Sequence, residues 1–284
     1  MNHALTSRGY YTVPMGLGYL VLLAVVQGLT EFLPVSSSAH LILLPRLLET
    51  VDQGLRVDVA ANTGTFLAVL VYFRREVAAM TVAALGASRD PARAADRRLA
   101  WLVGLGSVPV LVCGFLFRDL VATLGRDPVL IAVTSIGFGL LLAFADRYGR
   151  RTRALHDLTP VDAAFIGLAQ ALALVPGTSR SGITMTAGIA ANLRRDQAAR
   201  FSFLLAVPVG AAAAVWEAIG FVRDGEWGMW WQLLLVVVIS ALVGFGVIHF
   251  LLGFLRRRSL IGFAIYRIAL GAVILAIVYG PWRG

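Results

Sequence analysis

Apolar residues run through this chain in long stretches, separated by short segments that carry most of its arginines. A helix that crosses the hydrocarbon of a bilayer needs about 20 mostly apolar residues. Segments 99–117 and 128–145 contain no charged residue and have that length. Segment 227–255 is longer and leaves room for tilt, while 201–222 carries one acid, Glu217, and 259–279 one base, Arg267. Segment 59–73 is short and reaches span length only with its polar neighbours. The pattern predicts an all-α integral membrane protein with six transmembrane helices. Two further apolar regions break in the middle. Region 15–48 is interrupted at Phe32-Leu33-Pro34-Val35-Ser36-Ser37-Ser38, and region 165–192 at Val175-Pro176-Gly177-Thr178-Ser179-Arg180-Ser181-Gly182. Each half is too short to cross alone, so each region reads as a re-entrant hairpin of two half-helices. No short apolar segment ending in a small-residue cleavage site opens the chain, and no cleaved leader is expected.

Composition agrees with this class. Of the 284 residues, 58% are hydrophobic and 14% charged, against about 45–50% and about 25% in soluble domains. The 25 basic residues are all arginine and outnumber 16 acids, for a net charge of +9. In a soluble protein that excess points to nucleic acid. Here it sits in short loops between spans, where membrane topology accounts for it, and no nucleic-acid partner is expected. Connections 74–98 and 147–153 hold six and four arginines, and 194–200 and 256–258 hold three each. Connections 45–58 and 118–127 hold two each, and 223–226 holds one.

Arginine-rich loops belong on the cytoplasmic side. Both termini then lie outside, the first broken region enters from outside and the second from the cytoplasm. The single membrane domain divides into halves 14–146 and 160–280 related by inversion. Short echoes agree with this: Gln27 with Gln170, Pro34-Val35-Ser36-Ser37 with Pro176-Gly177-Thr178-Ser179, and Ala60-Ala61 with Ala198-Ala199. In inverted repeats, discontinuous helices meet near the membrane midplane and aim their N-termini at anionic groups. The single cysteine, Cys113, excludes an intrachain disulfide and a cysteine-cluster metal site.

Polar side chains inside apolar segments are expensive, and an isolated buried acid most of all. Gln27 and Glu31 lie four apart, on one face of the first half-helix. Pro34 breaks that helix, Ser36, Ser37 and Ser38 are candidate N-caps for the next, and His40 follows one turn in. In the second region Thr178, Ser179 and Ser181 flank Arg180. Helix N-termini with free N–H groups and a guanidinium form a phosphate-binding inventory. The carboxylate serves such a site only by holding a divalent cation or by moving a proton. Any single hydroxyl commonly back-bonds to its own helix. Structural pairing is the default for Glu217, His249 and Arg267.

At these residues the sequence resembles a known family. Gln27-Gly28-Leu29-Thr30-Glu31-Phe32-Leu33-Pro34-Val35-Ser36-Ser37-Ser38-Ala39-His40 and Pro176-Gly177-Thr178-Ser179-Arg180-Ser181-Gly182-Ile183-Thr184 look like the two signature motifs of the bacterial undecaprenyl-diphosphatase family. Phe201-Ser202-Phe203-Leu204-Leu205-Ala206-Val207-Pro208 and Phe263-Ala264-Ile265-Tyr266-Arg267 are similar to it as well. The resemblance implies an inverted repeat with re-entrant helices. It also implies hydrolysis of undecaprenyl diphosphate to undecaprenyl phosphate and inorganic phosphate at the outer face of the plasma membrane. That reaction recycles the carrier for peptidoglycan synthesis, and its excess is tied to bacitracin resistance.

Carried over by motif, Glu31 is the acidic metal or proton-transfer residue, Ser37 the nucleophile, His40 the acid/base and Arg180 the phosphate clamp. Gln27, Ser36, Ser38, Thr178, Ser179, Ser181 and Thr184 make up the expected substrate-binding set. The implied cofactor is a divalent cation, Mg²⁺ or Ca²⁺, on Glu31 and Gln27. Many members carry Glu where this chain has Gln27, which leaves less negative charge for the cation. Expected partners are undecaprenyl diphosphate and membrane lipid, with a homodimer left open. Attack by Ser37 and attack by water both remain open. The rival function is a polyprenyl-phosphate transporter or flippase of the same architecture. The phosphatidic-acid-phosphatase superfamily, whose Ser-Gly-His motif Ser38-Ala39-His40 faintly resembles, needs a second catalytic His in an ordered motif that this chain lacks.

Overall fold

The computed structural model describes residues 16–86, 90–125, 127–224 and 230–280. These form twelve α-helices, with no strand among the described residues beyond one isolated bridge between Arg153 and Leu193. Residues 14–15, Arg89, Arg126, residues 226–229 and the side chains of Glu217 and Arg223, which entered the expectations above, lie outside the described set.

The two broken regions are helical hairpins. The first is α1 (Leu17–Thr30) and α2 (Ser37–Leu47); the second is α8 (Pro160–Ala171) and α9 (Arg180–Ala190). Between them lie α3 (Gly54–Tyr72), α4 (Arg74–Leu85), α5 (Ala94–Leu116), α6 (Arg118–Leu124) and α7 (Pro128–Tyr148). The chain closes with α10 (Arg195–Asp224), α11 (Trp230–Leu255) and α12 (Ile261–Tyr279). The four hairpin helices have 14, 11, 12 and 11 residues. At 1.5 Å per residue they are about 16–21 Å long, short of a hydrocarbon core of about 30 Å.

Among the described residues, five helices are long and apolar enough to cross a membrane: α5, α7, the Arg195–Trp216 stretch of α10, α11 and α12. The sixth expected span, α3, is a continuous helix of 19 residues and is not among those five. The outer surfaces agree with a lipid solvent, since Trp101, Phe115, Phe144 and Leu242 are each more than 60% exposed. The chain is a multi-pass membrane protein. The arginine-rich connection 74–98, read as a loop, contains α4, because its Arg, Glu and Ala residues favour helix.

Local chemistry sets the helix starts. Asp127 caps α7 by accepting from Val129 N (2.8 Å). Thr159 and Asp162 form a reciprocal capping box at α8, with Pro160 in the first turn where a missing N–H costs nothing. α2 and α9 share more than length. Each follows a serine at positive φ, Ser36 (71°) and Ser179 (66°), and each is trailed two residues past its end by another positive-φ residue, Glu49 (50°) and Asn192 (66°). Gln27 and Gln170 stand equally far ahead of those serines. This register is one residue out of step with the sequence echo of Pro34 and Pro176. Pro34 corresponds instead to Gly177, at φ 85°, a conformation closed to proline. A Cβ on Gly177 would also lie 2.2 Å from Thr134 Oγ1, so the second break needs glycine.

The arginine-rich connections gather on one face. Arg98 donates to the carbonyls of His156 (2.7 Å) and Leu158, Arg200 pairs with Glu76, and Arg195 pairs with Asp146 (2.5 Å). Asp146 also accepts from Ser259 Oγ and Leu260 N, which ties α7 to the α11–α12 connection. The second hairpin starts and ends on this face, because Arg153 N donates to Asn192 O and Arg194 N to Arg153 O, both at 2.9 Å. The first hairpin starts and ends on the opposite face, where Tyr19 at the start of α1 donates to Gln53 just before α3 (2.9 Å). α1 packs along α11 as α8 packs along α5.

In lipid, helix association depends on close backbone approach more than on apolar burial. Small residues accordingly sit at the crossings. A Cβ on Gly64 of α3 would lie 2.3 Å from Val237 O of α11, and one on Gly167 of α8 would lie 2.4 Å from Gly106 O of α5.

Candidate active site

The breaks of the two hairpins meet inside the protein. Glu31 caps the C-terminus of α1, Ser37 is the first residue of α2, and Arg180 is the first residue of α9. Ser37 and Arg180 thus hold corresponding positions after Ser36 and Ser179. Both reach Glu31, where Oε2 accepts from Ser37 Oγ at 2.7 Å and Oε1 from Arg180 Nη2 at 3.1 Å. Gln27 Nε2 donates to Glu31 Oε2 (3.2 Å) and to Asn62 Oδ1 of α3 (2.8 Å). The Glu31 and Arg180 side chains are 18% and 19% exposed, so water screens the pair only partly.

The other hydroxyls hold the backbone that carries these groups. Ser181 Oγ donates to the carbonyls of Glu31 (3.1 Å) and Leu33 (3.2 Å), so the second hairpin pins the first break. Ser38 Oγ accepts from Gly177 N (3.3 Å) in the reverse direction and lies 3.1 Å from Ser36 Oγ. Ser179 caps α9 through Gly182 N (3.1 Å). Thr184 donates to Arg180 O (2.7 Å) and meets Ser202 Oγ (2.6 Å), while Ser202 O accepts from Arg180 Nη1 (3.1 Å). Thr178 is buried, and its hydroxyl has no partner among the described residues.

His40 departs from expectation. Its Nδ1 lies 2.8 Å from Ser36 O and its Nε2 2.7 Å from the Tyr266 hydroxyl, with the two rings stacked at 5.7 Å. A carbonyl only accepts, so Nδ1 carries the proton and neutral Nε2 accepts from Tyr266. Both nitrogens are engaged and neither meets Glu31, Ser37 or Arg180. The group on the Ser37 hydroxyl is the Glu31 carboxylate.

Three participants escaped sequence reasoning. Asn62 was visible as a polar residue inside an apolar run, with nothing to name its partner. Ser202 enters through its backbone carbonyl and its hydroxyl. Arg267, for which structural pairing was the default, is fully buried and donates through Nη2 to Gly177 O (3.0 Å) and Thr178 O (2.7 Å). Adjacent residues of α12 therefore hold both hairpins, Tyr266 the first and Arg267 the second. His249 meets only Tyr72 (3.4 Å), as its structural default required.

A cavity of about 270 Å³ starts at Glu31, Phe32 and Arg180 and runs between α3 and α10. Asn62 lines its polar end, and Phe66, Val69, Val209, Gly210 and Ala213 line its apolar wall. Phe32 is locked edge-on against Phe203 at 5.4 Å, which fixes the break beside Glu31. Arg180 spends two of its N–H donors on Glu31 and Ser202, and a guanidinium has five. The arrangement can hold an anion beside a hydroxyl whose proton a carboxylate is placed to take.

The atoms at Glu31 able to ligate a metal are its carboxylate oxygens and Ser37 Oγ, which suit a hard cation, while Gln27 turns Nε2 toward the carboxylate. Gln27 Oε1 is buried with no partner among the described residues. Among the described residues no group of three or more His, Cys, Asp or Glu side chains could enclose a metal ion. The fit is to an ion shared with a ligand, as when Mg²⁺ is held by one carboxylate and substrate phosphates.

Fold and site define a multi-pass helical membrane protein with a polar centre buried between two broken hairpins. Comparison with known proteins places it further. The family model of Bacitracin resistance protein BacA matches residues 20–273, and the chain belongs to that family. It is 45% identical to an undecaprenyl-diphosphatase of Thioalkalivibrio sulfidiphilus over 93% of this chain and 100% of the relative. It is 48% identical to undecaprenyl-diphosphatase 2 of Stutzerimonas stutzeri over 94% of this chain and all of the relative. Identity to an undecaprenyl-diphosphatase of Nitrosococcus oceani is 48%, over 90% of this chain and 97% of the relative.

Proposed function

We propose that this protein is an enzyme that hydrolyses undecaprenyl diphosphate to undecaprenyl phosphate and inorganic phosphate, as the names of its relatives indicate for them. The observation that carries the mechanism is the single carboxylate of Glu31, bonded at once to Ser37 of its own hairpin and to Arg180 of the other. Ser37 Oγ attacks the terminal phosphorus and its proton passes to Glu31. The phosphoanhydride bond breaks and undecaprenyl phosphate leaves. Water then hydrolyses the phosphoserine, releasing inorganic phosphate and restoring the hydroxyl. Arg180, through its remaining donors, and the N–H groups at the start of α2 and α9 neutralise charge on the phosphoryl oxygens. Such positioning and electrostatic stabilisation usually dominate phosphoryl transfer.

Glu31 and Gln27, its amide rotated so that Oε1 replaces Nε2 beside Glu31, would hold a Mg²⁺ or Ca²⁺ ion together with substrate oxygens, and the ion would add positive charge there. His40 acts on Ser36 rather than on substrate: its bond to the Ser36 carbonyl supports a strained residue, a conformation that costs about 1–3 kcal/mol, next to the nucleophile. The prenyl tail lies along the apolar wall between α3 and α10.

The halves form an inverted repeat, a reading supported by hairpins that open on opposite faces and by the matched caps of α2 and α9. The arginine-rich face is cytoplasmic by the positive-inside rule. The cavity runs from the middle of α10 toward its other end, and with that orientation the site would open to the outer side of the plasma membrane. In a cell the activity would replenish lipid carrier and lower sensitivity to bacitracin.

Phosphate release from undecaprenyl diphosphate by purified protein in detergent tests this function. Transport alone liberates no phosphate, so absence of release from folded protein would overturn it in favour of a carrier.

A further inference from the structure

The arginine-rich face carries a second cavity that the hydrolysis does not use. It measures about 690 Å³ and lies where α7 has ended, α10 begins and α11 ends. Arg150, Arg151, Arg194, Arg195 and Arg256 line it, against one lining acid, Asp196. Two of these charges have counter-charges. Arg195 pairs with buried Asp146 (2.5 Å), and Arg194 Nε stands 3.6 Å from Asp196. Arg151 donates only to a carbonyl, Asp146 O (2.7 Å), and Arg150 and Arg256 have no hydrogen bond or ion pair among the described residues. Three guanidiniums therefore face one cavity without compensating charge.

Like charges repel at this range, the more so beside low-dielectric protein and lipid. An anion in their midst reverses the sign of the interaction. The forked geometry of guanidinium matches phosphate oxygens two at a time. The place matters as much as the charge. The cavity lies at the ends of three spanning helices, the level at which lipid headgroups sit. Within two helical turns before Arg150 and Arg256 in sequence, Phe144 (62% exposed) and Tyr148 (71%) of α7 and Phe250 (58%) of α11 are exposed and offer apolar surface to acyl chains. A free phosphate ion has no use for that surface, whereas a phospholipid uses both parts.

We propose that this cavity binds the phosphate of an anionic phospholipid through Arg150, Arg151 and Arg256, with the acyl chains against α7 and α11. The site is independent of the hydrolytic centre and does not rest on its assignment.

The test uses the full chain in neutral detergent, with native mass spectrometry after addition of phosphatidylglycerol or phosphatidylcholine, and with inorganic phosphate as competitor. Phosphatidylglycerol is expected to stay bound where phosphatidylcholine does not, and inorganic phosphate is expected to leave it in place. Each basic residue at an anionic lipid surface is worth roughly fivefold in binding, so R150Q/R256Q should weaken retention by about twenty-fivefold. Both side chains are exposed and make no contact the fold depends on, so the variant should keep its thermal transition. Equal retention of the two lipids, unchanged retention in the variant, or displacement by inorganic phosphate would each overturn the proposal.

Discussion

The Ser37–Glu31 contact makes a quantitative demand on the enzyme. At 2.7 Å it is a short, charge-assisted hydrogen bond between a hydroxyl and a carboxylate. Glu31→Gln keeps the length and shape of the side chain and removes its capacity to take a proton. Loss of a general base costs about 10²–10⁴ in rate, or about 2.7–5.4 kcal/mol of barrier. Ser37→Ala removes the attacking oxygen and leaves Arg180 and the helix N-termini in place, so a comparable loss with residual water attack is expected. If the carboxylate works through Ser37, the two losses overlap, because groups that act as a unit are strongly non-additive. The double variant should fall no more than about tenfold below the worse single variant. Stability needs a separate check. Glu31→Gln leaves the Arg180 guanidinium, 19% exposed, without its carboxylate. Breaking a fully buried pair costs about 3–5 kcal/mol. Partial exposure and the surviving bond to Ser202 O reduce this to about 1–3 kcal/mol. Release of phosphate from undecaprenyl diphosphate is measured for all four proteins well below the melting temperature of the weakest. Two results refute the mechanism: release by Ser37→Ala within tenfold of wild type, or a double-variant loss equal to the product of the single losses.

The remaining predictions concern the cation, the cavity wall and the buried arginine. Gln27→Glu places a second carboxylate one turn from Glu31, so phosphate release titrated with Mg²⁺ against a chelator should saturate at a lower concentration; an unchanged midpoint would separate Gln27 from the cation. Gly210→Leu puts a side chain where even a Cβ meets the Phe66 ring at 2.4 Å, and it should raise the KM for the long-chain substrate at least several-fold more than for a short-chain prenyl diphosphate. Equal effects on both would remove the tail from that wall. Arg267→Met strips the Gly177 and Thr178 carbonyls of their buried donor, at about 1–3 kcal/mol each. A thermal transition in detergent lowered by several degrees, together with reduced turnover, is expected; wild-type behaviour in both would show that the second break holds its shape unaided.

Individual residues show how far the sequence reached. Pro34 and the Pro176-Gly177 pair betrayed both breaks because serines or glycine stand beside the proline and also disfavour helix; proline alone does not suffice, since Pro45, Pro109 and Pro208 lie inside α2, α5 and α10. Glu31 and Arg180 were legible as site residues because an ion in an apolar segment needs a reason to be there. His40, expected as an acid/base from the resemblance, could not be given its partners by the sequence: the Ser36 carbonyl and Tyr266, 226 residues away in sequence, meet both its nitrogens. Arg267 looked like an incidental charge in a span, since nothing along α12 reveals which carbonyls it meets. The echo of Pro34 with Pro176 was a one-residue misalignment that only the positive-φ serines corrected.

Sequence alone determined the long apolar helices, the half-length hairpins, the connections in which arginines collect and the motif residues of the polar centre, because hydropathy, helix breaking and charge are written residue by residue. Tertiary structure decided the pairings. Glu31 and Arg180 are 149 residues apart and meet only because two hairpins from opposite faces pack break to break, with Gly177 leaving room for α7 and Gly182 for the Arg267 side chain of α12. Bonds of that kind depend on the relative placement of whole helices, to sub-ångström tolerance, which no local pattern encodes.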